Sequence, residues 1–315
     1  MTIAVKIIAD SVAAGTGSRL TTMELVYPRP IHSEFMTHRK FGRNASSSRA
    51  IPTKRMHEMI HNDPALPEKW TLNEPGMQGY QYADEYTIDR AKAIIKGHRL
   101  KSIQVAKELA ALGLHKQIIN RYTEAHQHIK VVVTSSDWRN FFLLRTHPTA
   151  EPTMQALAMA MHDSYFKSLP LTLGRGDWHL PYVEEQDRGD LVEWLDAHDI
   201  PETIWSQFPP YSGYRSQMKA LLIAVSAARC ARTSYNNFKG NRSGVKEDID
   251  LFCKLIVAQP IHASPLEHQA TPDWIHNPGL YKDFNWANPN QHGNLVGWRQ
   301  ARKFIPGEDG TTSEI

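Results

Sequence analysis

The sequence has little cysteine, with only Cys230 and Cys253 among its 315 residues. Neither cysteine belongs to a CxxC pair, which argues against a disulfide framework and against a thiolate zinc site. Both lie in apolar, helix-like stretches, where a cysteine is typically a small core residue rather than a reactive thiol. Chemistry that depends on a cysteine nucleophile is therefore not expected.

Long apolar runs are also missing. No segment approaches the roughly 18 apolar residues that cross a bilayer, and the first residues, MTIAVKIIADSVAAG, lack the basic segment of a signal peptide. Charge of one sign is scarce as well, because 36 basic and 33 acidic side chains leave a formal charge of +3. So small an excess argues against coating by nucleic acid but leaves local anion sites open. We expect a soluble cytoplasmic protein with neither a membrane nor a nucleic acid as partner.

Alternating and helical apolar patterns predict an α/β (α+β) fold, in which a mixed sheet packs with helices. Strands are expected near residues 22–27 and 129–134. Glycines at positions 97 and 113 are expected to break the long central helical stretch. Helices are predicted within residues 31–38, 52–60, 87–120, 138–145, 151–169, 217–235 and 248–259.

The chain length suits one large unit or two closely packed ones. We predict a core at residues 1–170 and an irregular insertion, rich in Pro, Gly and Trp, at 171–215. A helical C-terminal part at 216–315 is expected to pack into the same unit.

An HExxH pattern occurs at residues 57–61, HEMIH. In zinc proteases two histidines one helical turn apart bind the metal and the glutamate acts as general base. Here the polar segment TKR precedes the pattern, Asn-Asp-Pro follows it at once, and the extension seen in longer zinc motifs is missing. We interpret it as a solvated amphipathic helix and predict no metal site.

A polar stretch at residues 37–50, THRKFGRNASSSRA, holds four Arg or Lys side chains and three consecutive serines. Guanidinium groups and small hydroxyl groups together can surround the oxygens of a phosphate. A solvated basic turn is the alternative. Arg121 and Arg145 lie in apolar sequence, where a buried guanidinium needs either a ligand anion or carbonyl or a structural salt bridge.

Residues 38–49 of this stretch resemble the signature of flavin-dependent thymidylate synthases. That signature reads Arg-His-Arg, two residues, Ser, one residue, Asn, two residues, Ser, one residue, Arg. His38, Arg39, Asn44, Ser47 and Arg49 fall on the pattern.

Further blocks are similar to the same family and, with the signature, cover somewhat more than half of the chain. ALGLHKQIINR resembles a helix that precedes a strand, and TSSDWRNFFLLRTHPTAEPTMQALAMAM resembles the helix pair with Leu-Arg and Ala-Gln. ARTSYNN, followed by HASPLEH at 262–268, resembles the family's amino-terminal helix and turn.

The chain also departs from the family pattern. Thr37 and Gly42 stand where the signature has its first Arg and its first Ser, and Ala45 replaces an acidic residue that often follows the Asn. HASPLEH comes over two hundred residues after the signature, whereas the family places it before. The resemblance therefore implies a divergent member with a permuted or rearranged chain.

The resemblance implies a methyltransferase of the thymidylate synthase type, with the nucleotide and flavin bound by the core at 1–170. Such enzymes use FAD to transfer a one-carbon unit from methylenetetrahydrofolate to C5 of dUMP, and NADPH supplies the reducing equivalents. Family members are homotetramers whose active sites are shared between subunits. We therefore expect an oligomer with the loop at 42–49 at an interface.

The resemblance also implies a role for individual residues. Arg145 would be catalytic, because it would lie against the uracil edge and stabilise negative charge there. The nucleotide would be held by Ser47, Ser48, Arg49 and Arg121. The flavin would be contacted by His38, Arg39 and Asn44, and the flavin or folate side by His262, Ser264 and Glu267.

Two alternatives stay open. A related flavin enzyme could modify another pyrimidine nucleotide, for example by hydroxymethylation, and the departures at Thr37 and Ala45 motivate this hypothesis. A non-catalytic nucleotide-binding or assembly protein could keep the fold without the chemistry.

Overall fold

Five strands form the central sheet of the computed structural model, which describes residues 3–205, 214–235, 243–258, 260–276 and 285–308. They are β1 (Ala4–Ala13), β2 (Arg19–Pro28), β3 (Gly42–Ala45), β4 (His128–Ser135) and β5 (Leu171–Leu173). Their spatial order is β3-β4-β2-β1-β5, and all pairs are antiparallel except β1 with β5. A separate antiparallel pair consists of β6 (Ala270–Pro272) and β7 (Trp298–Gln300). The predicted mixed sheet is confirmed.

Helices follow most of the predicted segments, which confirms the α/β class. They are α1 (His32–Phe35), α2 (Thr53–Asn62), α3 (Glu85–Ala111), α4 (Lys116–Ile119), α5 (Arg139–Arg145), α6 (Pro152–Lys167), α7 (Glu185–Ala197), α8 (Glu202–Trp205), α9 (Tyr214–Tyr235) and α10 (Val245–Val257). Short 3-10 turns cover Arg29–Ile31, Asn120–His126, Ser264–Glu267, Pro289–Gln291 and Ala301–Phe304. Within the described ranges, no helix has the length and apolar character that crossing a membrane requires.

α3 runs unbroken through Gly97, so the break predicted there is wrong. Glycine inside a helix costs only about 1 kcal/mol relative to alanine. The Asp84 carboxylate caps the first turn by accepting from the Thr87 backbone N–H at 2.8 Å, and the second half of the helix carries its buried side chains. These contacts outweigh the cost of the glycine. Gly113, at φ +80°, follows the end of α3, where a break was predicted.

The segment 171–215 is not irregular, contrary to prediction, because it contains β5, α7 and α8; residues 206–213 lie outside the described part. α7 begins with a capping box in which the side chains of Glu184 and Asp187 accept from each other's backbone N–H. The usual sequence signature of this box has Ser or Thr at the cap. An acidic cap inside a segment rich in Pro and Trp therefore hid the helix.

One face of the central sheet, the apolar face, packs in a large apolar cluster, whereas the opposite face, the polar face, carries buried polar side chains beside a smaller apolar cluster around Leu20. Met23, Leu25 and Tyr27 of β2 belong to an apolar cluster that also includes side chains of β4, α5 and α6. Because side chains alternate along a strand, Thr22 and Glu24 lie on the opposite face. α9 contacts β3 and β4, and the turn Ser264–Glu267 contacts β3 and α9. α9 also packs with α7, α8 and α10 in a second apolar cluster. The C-terminal helices thus hold the HASPLEH block against the sheet.

Candidate active site

β3 carries the middle of the signature and pairs with β4 at the edge of the sheet. Its register places Gly42 opposite Thr134 and Asn44 opposite Val132. The HASPLEH turn packs directly onto this strand, since a Cβ at position 42 would lie 3.3 Å from both the Cβ and the carbonyl oxygen of Glu267. The glycine that departs from the family's serine therefore makes room for the C-terminal block.

A cavity of about 290 Å³ lies between β3 and the HASPLEH turn. Asn44 of the signature lines it together with His262 and Ser264 of the C-terminal block. The other lining residues are Leu255, Ile261, Ala263, Pro265 and Arg302. Three residues predicted to contact the cofactor, from two distant parts of the chain, are thus brought to one site.

Arg302 supplies the cationic group of this cavity, and sequence analysis did not find it. Its guanidinium donates to the carboxylates of Glu267 and Glu308. Burial alone would lower the pKa of Arg302, but the two carboxylates outweigh it and raise the pKa. Glu267, predicted to act on the flavin or folate side, is therefore held by a charged partner. No motif marks Arg302, because its partners meet it only through the fold.

Arg145 lies at the end of α5 and meets the loop that begins the signature. Its Nε donates to His38 Nε2 at 3.1 Å, and its Nη1 donates to Glu34 Oε2 at 3.3 Å. Its Nη2 donates to the Thr37 hydroxyl at 3.4 Å. The predicted catalytic residue and a predicted flavin residue are therefore neighbours. The salt bridge with Glu34 partly neutralises the charge of the Arg145 guanidinium.

His38 is held in a form that can accept this hydrogen bond. Burial, and next the charges of Arg145 and Arg43, lower the pKa of His38 to about 4. The ring is therefore neutral at neutral pH, and its Nε2 can act as an acceptor. Arg43 also donates to the carbonyls of Phe35, Met36 and His38 at 3.1–3.3 Å, which fixes the backbone of this loop.

The serine loop, residues 46–49, follows β3 and forms a third polar group of atoms. The Ser47 hydroxyl accepts from the Arg49 backbone N–H at 3.3 Å. The Ser48 hydroxyl donates to Glu124 at 2.8 Å, and the Ser48 carbonyl accepts from Asn120 at 2.8 Å. The loop is thus held by the turn Asn120–His126, which also carries Arg121. Arg49 and Arg121 are both exposed, so the burial of Arg121 suggested by its apolar sequence context is wrong.

Arg29 joins this group without having been predicted. Its side chain is 15% exposed, and Nη2 donates to the Ser46 carbonyl at 3.2 Å. Glu124 lies 3.9 Å away, and the buried Nε of Arg29 has no hydrogen-bond partner in the described part of the chain. Burial lowers the pKa of Arg29; Glu124 opposes this shift and the charge of Arg121 adds to it. Positive charge is thus concentrated beside the serine loop.

The predicted residues fall into three groups along the signature rather than into one pocket. The first group consists of the residues that line the cavity, and it includes neither Arg145 nor the serines of the serine loop. Arg145 and His38 form the second group, and the serine loop with Arg29 and Arg121 forms the third. Arg39 is exposed. β3 and its two flanking loops connect the groups, because all three contain residues from positions 37 to 49.

The HExxH pattern forms the amphipathic helix α2, as predicted. His57, Glu58 and His61 line a cavity of about 700 Å³ between α2 and α3. Across the ranges that the structure describes, no three His, Cys, Asp or Glu side chains are arranged to hold a metal ion.

Cys230 is buried and Cys253 half-buried, and burial raises the pKa of both thiols.

Comparisons with known proteins show only distant likeness. No protein-family model and no curated protein matches the chain. Two similar solved structures are of the UMP/dUMP methylase PolB from Streptomyces cacaoi, one bound with 5-Br UMP and one with 5-Br dUMP. They share 13% and 15% identity with this chain, with TM-scores of 0.43 and 0.42. Each alignment covers 54% of this chain, and 90% and 91% of the respective methylase chains. At this distance the likeness assigns no function to this chain.

Proposed function

We propose that the protein is a flavin-dependent enzyme similar to thymidylate synthases, which transfers a one-carbon unit to C5 of dUMP. One observation carries the proposal. Asn44 of the signature and His262 and Ser264 of the HASPLEH block line one cavity, although the order of these blocks is reversed relative to the family. Two accidental sequence resemblances would have no reason to meet in space.

The cavity has the character of a site for part of a flavin. Its 290 Å³ lies at the lower end of ligand pockets, roughly 300–1,000 Å³, so it suits a ring system rather than the whole of FAD. The Asn44 amide, the Ser264 hydroxyl and the Arg302 guanidinium offer hydrogen bonds, and Leu255, Ile261 and Pro265 add apolar contacts. When bound, FAD would supply the transfer of the one-carbon unit and of hydride, with methylenetetrahydrofolate as donor and NADPH as reductant.

Arg145 suits the role of stabilising negative charge on a uracil edge. A guanidinium has five N–H groups, and three of them are engaged with His38, Glu34 and Thr37. One N–H on each terminal nitrogen therefore stays available for a planar acceptor such as a ring carbonyl. Because Glu34 and His38 hold the group in place, it would need no reorganisation as charge develops on the base.

The serine loop suits the phosphate of the nucleotide. Ser47, Arg49 and Arg121 combine small hydroxyl groups with exposed guanidinium groups, a pairing that fits phosphate oxygens. Arg29 adds a buried charge whose Nε lacks a partner among the described residues. We propose that the buried charge of Arg29, whose side chain donates to the Ser46 carbonyl, adds to the attraction of this loop for a phosphate.

A second candidate is a flavin enzyme that modifies another pyrimidine nucleotide. Where the signature has its first arginine, Thr37 accepts a hydrogen bond from Arg145. One positive charge of the family pattern is therefore replaced by a neutral group next to the proposed base-binding residue. Such a change would act on the base rather than on the phosphate, and so on the choice of pyrimidine.

We also propose that the enzyme is an oligomer, with the loop at 42–49 near an interface. Leu143, Leu144, Met159 and Phe166 lie on the neighbouring helices α5 and α6 and are each more than half exposed; clustered exposed apolar side chains are typical of a surface that a partner covers. Light scattering that finds a monomer would contradict this part of the proposal.

The function is tested by incubating the purified protein with FAD, NADPH, methylenetetrahydrofolate and either dUMP, UMP or dCMP, and by analysing the products by mass spectrometry. Formation of dTMP from dUMP is the expected result. A product from another pyrimidine, or a hydroxymethylated one, would favour the second candidate. A colourless protein that takes up no FAD and makes no product would favour a non-catalytic nucleotide-binding role.

A further inference from the structure

A chain of hydrogen-bonded side chains crosses the interior along the polar face of the sheet and ends at the cavity. Each of its members is at most 5% exposed. In order from β1 to the cavity they are Ser11, His179, Thr22, Thr134, His268 and Asn44. The successive distances are 2.9, 2.8, 2.6, 2.8 and 3.2 Å. Of these residues, the proposed function uses Asn44 alone.

The Asn44 amide sets the direction of this chain. With its nitrogen turned toward the HASPLEH turn, the two N–H groups of the amide face three acceptors, which are the carbonyls of Arg43 and Ser264 and His268 Nε2, each 3.2 Å from the nitrogen. In the opposite orientation the amide oxygen would face the two carbonyl oxygens, a contact between acceptors that leaves buried polar groups unsatisfied. The nitrogen therefore faces the turn, and the oxygen lies on the opposite edge of the amide.

This orientation fixes every hydrogen bond behind it. His268 accepts at Nε2, so the neutral ring carries its proton on Nδ1 and donates to the Thr134 hydroxyl. Thr134 then donates to Thr22, and Thr22 donates to His179 Nε2. His179 in turn carries its proton on Nδ1 and donates to Ser11. Each of these groups gives one proton and accepts one, so the chain has a single polarity.

Both histidines keep this arrangement over a wide range of pH. Burial lowers the pKa of His179 to about 3, against a small opposing effect of Asp10. Burial, and next the neighbouring His179, lower the pKa of His268 to about 3. At neutral pH both rings are therefore neutral, each in one tautomer. His268 bonds directly to Asn44, and His179 is linked to His268 through Thr22 and Thr134.

We infer that His268, supported by Thr134, Thr22 and His179, is a positioning residue that locks the orientation of the Asn44 amide. Because the amide nitrogen is engaged with the turn and with His268 while Asn44 lines the cavity, the amide oxygen is the atom left to accept a hydrogen bond from a ligand there. The cavity then selects a ligand that presents a hydrogen-bond donor at this point. The identity of that ligand rests on the proposed function: uracil and the flavin ring both carry an N–H between two carbonyls, and that imide is the chemistry recognised here.

The polarity of the chain is tested without any ligand. Protein labelled with ¹⁵N in its histidines is examined by long-range ¹H–¹⁵N NMR, and the two rings are assigned with the variants His268→Gln and His179→Gln. We expect both rings to be neutral at pH 7 with the proton on Nδ1. A proton on Nε2 of His268 would overturn the inference.

The selection of an N–H donor is tested with His268→Leu, which removes the acceptor that holds the Asn44 nitrogen. His268→Gln is the conservative variant, because its side-chain oxygen can still accept from Asn44. His292→Leu is the matched control: His292 is also buried and bonds to Asp273 at 2.8 Å, but it does not line the cavity. The control should lose stability without changing ligand selection.

Two readouts distinguish the source of the imide. If it belongs to the flavin, FAD bound to the parent protein should lose its N3 proton at a higher pH than free FAD. His268→Leu should then reduce that shift by about one pH unit, equivalent to a tenfold change, and His268→Gln should retain it. If it belongs to the nucleotide, the preference for dUMP over dCMP, whose N3 is an acceptor, should fall about tenfold in His268→Leu.

A result in which neither readout changes would overturn the selection of an N–H donor, even if the tautomers are as expected. Failure of the parent protein to bind either FAD or dUMP would instead contradict the proposed function. In that case the NMR measurement still decides the polarity of the chain, so the two failures are distinguishable.

Discussion

The two faces of the central sheet follow different physical rules, although the same strands build both. On one face, Met23 and Leu25 of β2 pack with side chains of α5 and α6 in a fully apolar cluster. On the other, Thr22 and Thr134 are equally buried but are linked by hydrogen bonds to each other and to two histidines. The apolar face gains from area removed from water, whereas the polar face gains little net free energy from its bonds.

The difference indicates what each face is for. An apolar cluster tolerates any well-packed set of side chains of similar volume, so it specifies the fold but no particular chemistry. A buried polar chain is costly unless every member is satisfied, and here it leads to the cavity that contains Asn44. The polar face therefore sets a geometry, and the apolar face stabilises the sheet that carries it.

The first prediction compares two substitutions on β2 that differ in face. Leu25→Ala should reduce the free energy of unfolding by about 2–5 kcal/mol, because it leaves a cavity in the apolar cluster. Thr22→Val, which keeps the volume but removes a hydroxyl, should cost about 1–3 kcal/mol through the partners left unsatisfied. Urea unfolding followed by circular dichroism measures both. Equal costs with unchanged ligand binding would show that the two faces do not differ in the way described.

The second prediction concerns Arg145, which α5 holds at the edge of the apolar face. Arg145→Lys should lower kcat by about 10² or more, equivalent to about 2.7 kcal/mol, because a point charge cannot replace a planar fork. Flavin should stay bound and the fold should persist. Arg49→Ala should mainly weaken nucleotide affinity, since a phosphate is bound equally in the ground and transition states.

Steady-state kinetics with dUMP and the absorbance of bound flavin measure these effects. Near-normal turnover of Arg145→Lys, or its unfolding, would show that the contact with Glu34 is a structural salt bridge and that the catalytic assignment is wrong.

Local patterns were sufficient for most of the fold. The strand predicted near residues 22–27 is part of β2, and the helix predicted within residues 151–169 is α6. The two errors are also local. At Gly97 the capping and burial of α3 outweigh the weak helix-breaking effect of one glycine. At α7 the capping box has Glu184 at the cap position, where the usual sequence signature has Ser or Thr.

Residues of the candidate site were predictable only where a motif contained them. Asn44, His262 and Ser264 were found through the two resembling blocks, and the cavity brings them together. Arg302, Arg29 and the chain behind Asn44 carry no such mark. Their partners lie far away in sequence, as with His268 and Asn44, which are 224 residues apart. Hydrogen-bond networks of this kind form only when distant segments pack together, so no periodicity or spacing in the sequence predicts them.

The third prediction uses acid to compare the two sides of the sheet. Burial lowers the pKa of His32, beside the apolar face, to about 4, and those of His179 and His268 to about 3. An unfolded histidine has a pKa near 6.5, so between these values only the unfolded chain binds the proton. Stability should therefore fall as the pH drops below about 6.5, by about 1.4 kcal/mol per pH unit for each histidine.

The contribution of His32 should end near pH 4, and those of His179 and His268 should continue toward pH 3. Urea unfolding between pH 7 and pH 4 measures the slope, which should be smaller in His268→Gln than in the parent protein. An unchanged slope in that variant would mean that His268 is already protonated in the folded state.

The last prediction has the smallest effect and compares two glycines in opposite surroundings. At Gly97 the space around an added Cβ is open, and the residue lies inside α3, so Gly97→Ala should raise the free energy of unfolding by about 0.5–1 kcal/mol. At Gly42 the added Cβ would meet Glu267 at 3.3 Å, so Gly42→Ala should displace the turn, cost about 1 kcal/mol and weaken ligand binding in the cavity. Thermal unfolding and FAD titration of both variants measure these changes, with Gly97→Ala as the control that leaves FAD affinity unchanged. If Gly42→Ala binds FAD as the parent does, the close approach of the HASPLEH turn to β3 is not what shapes the cavity.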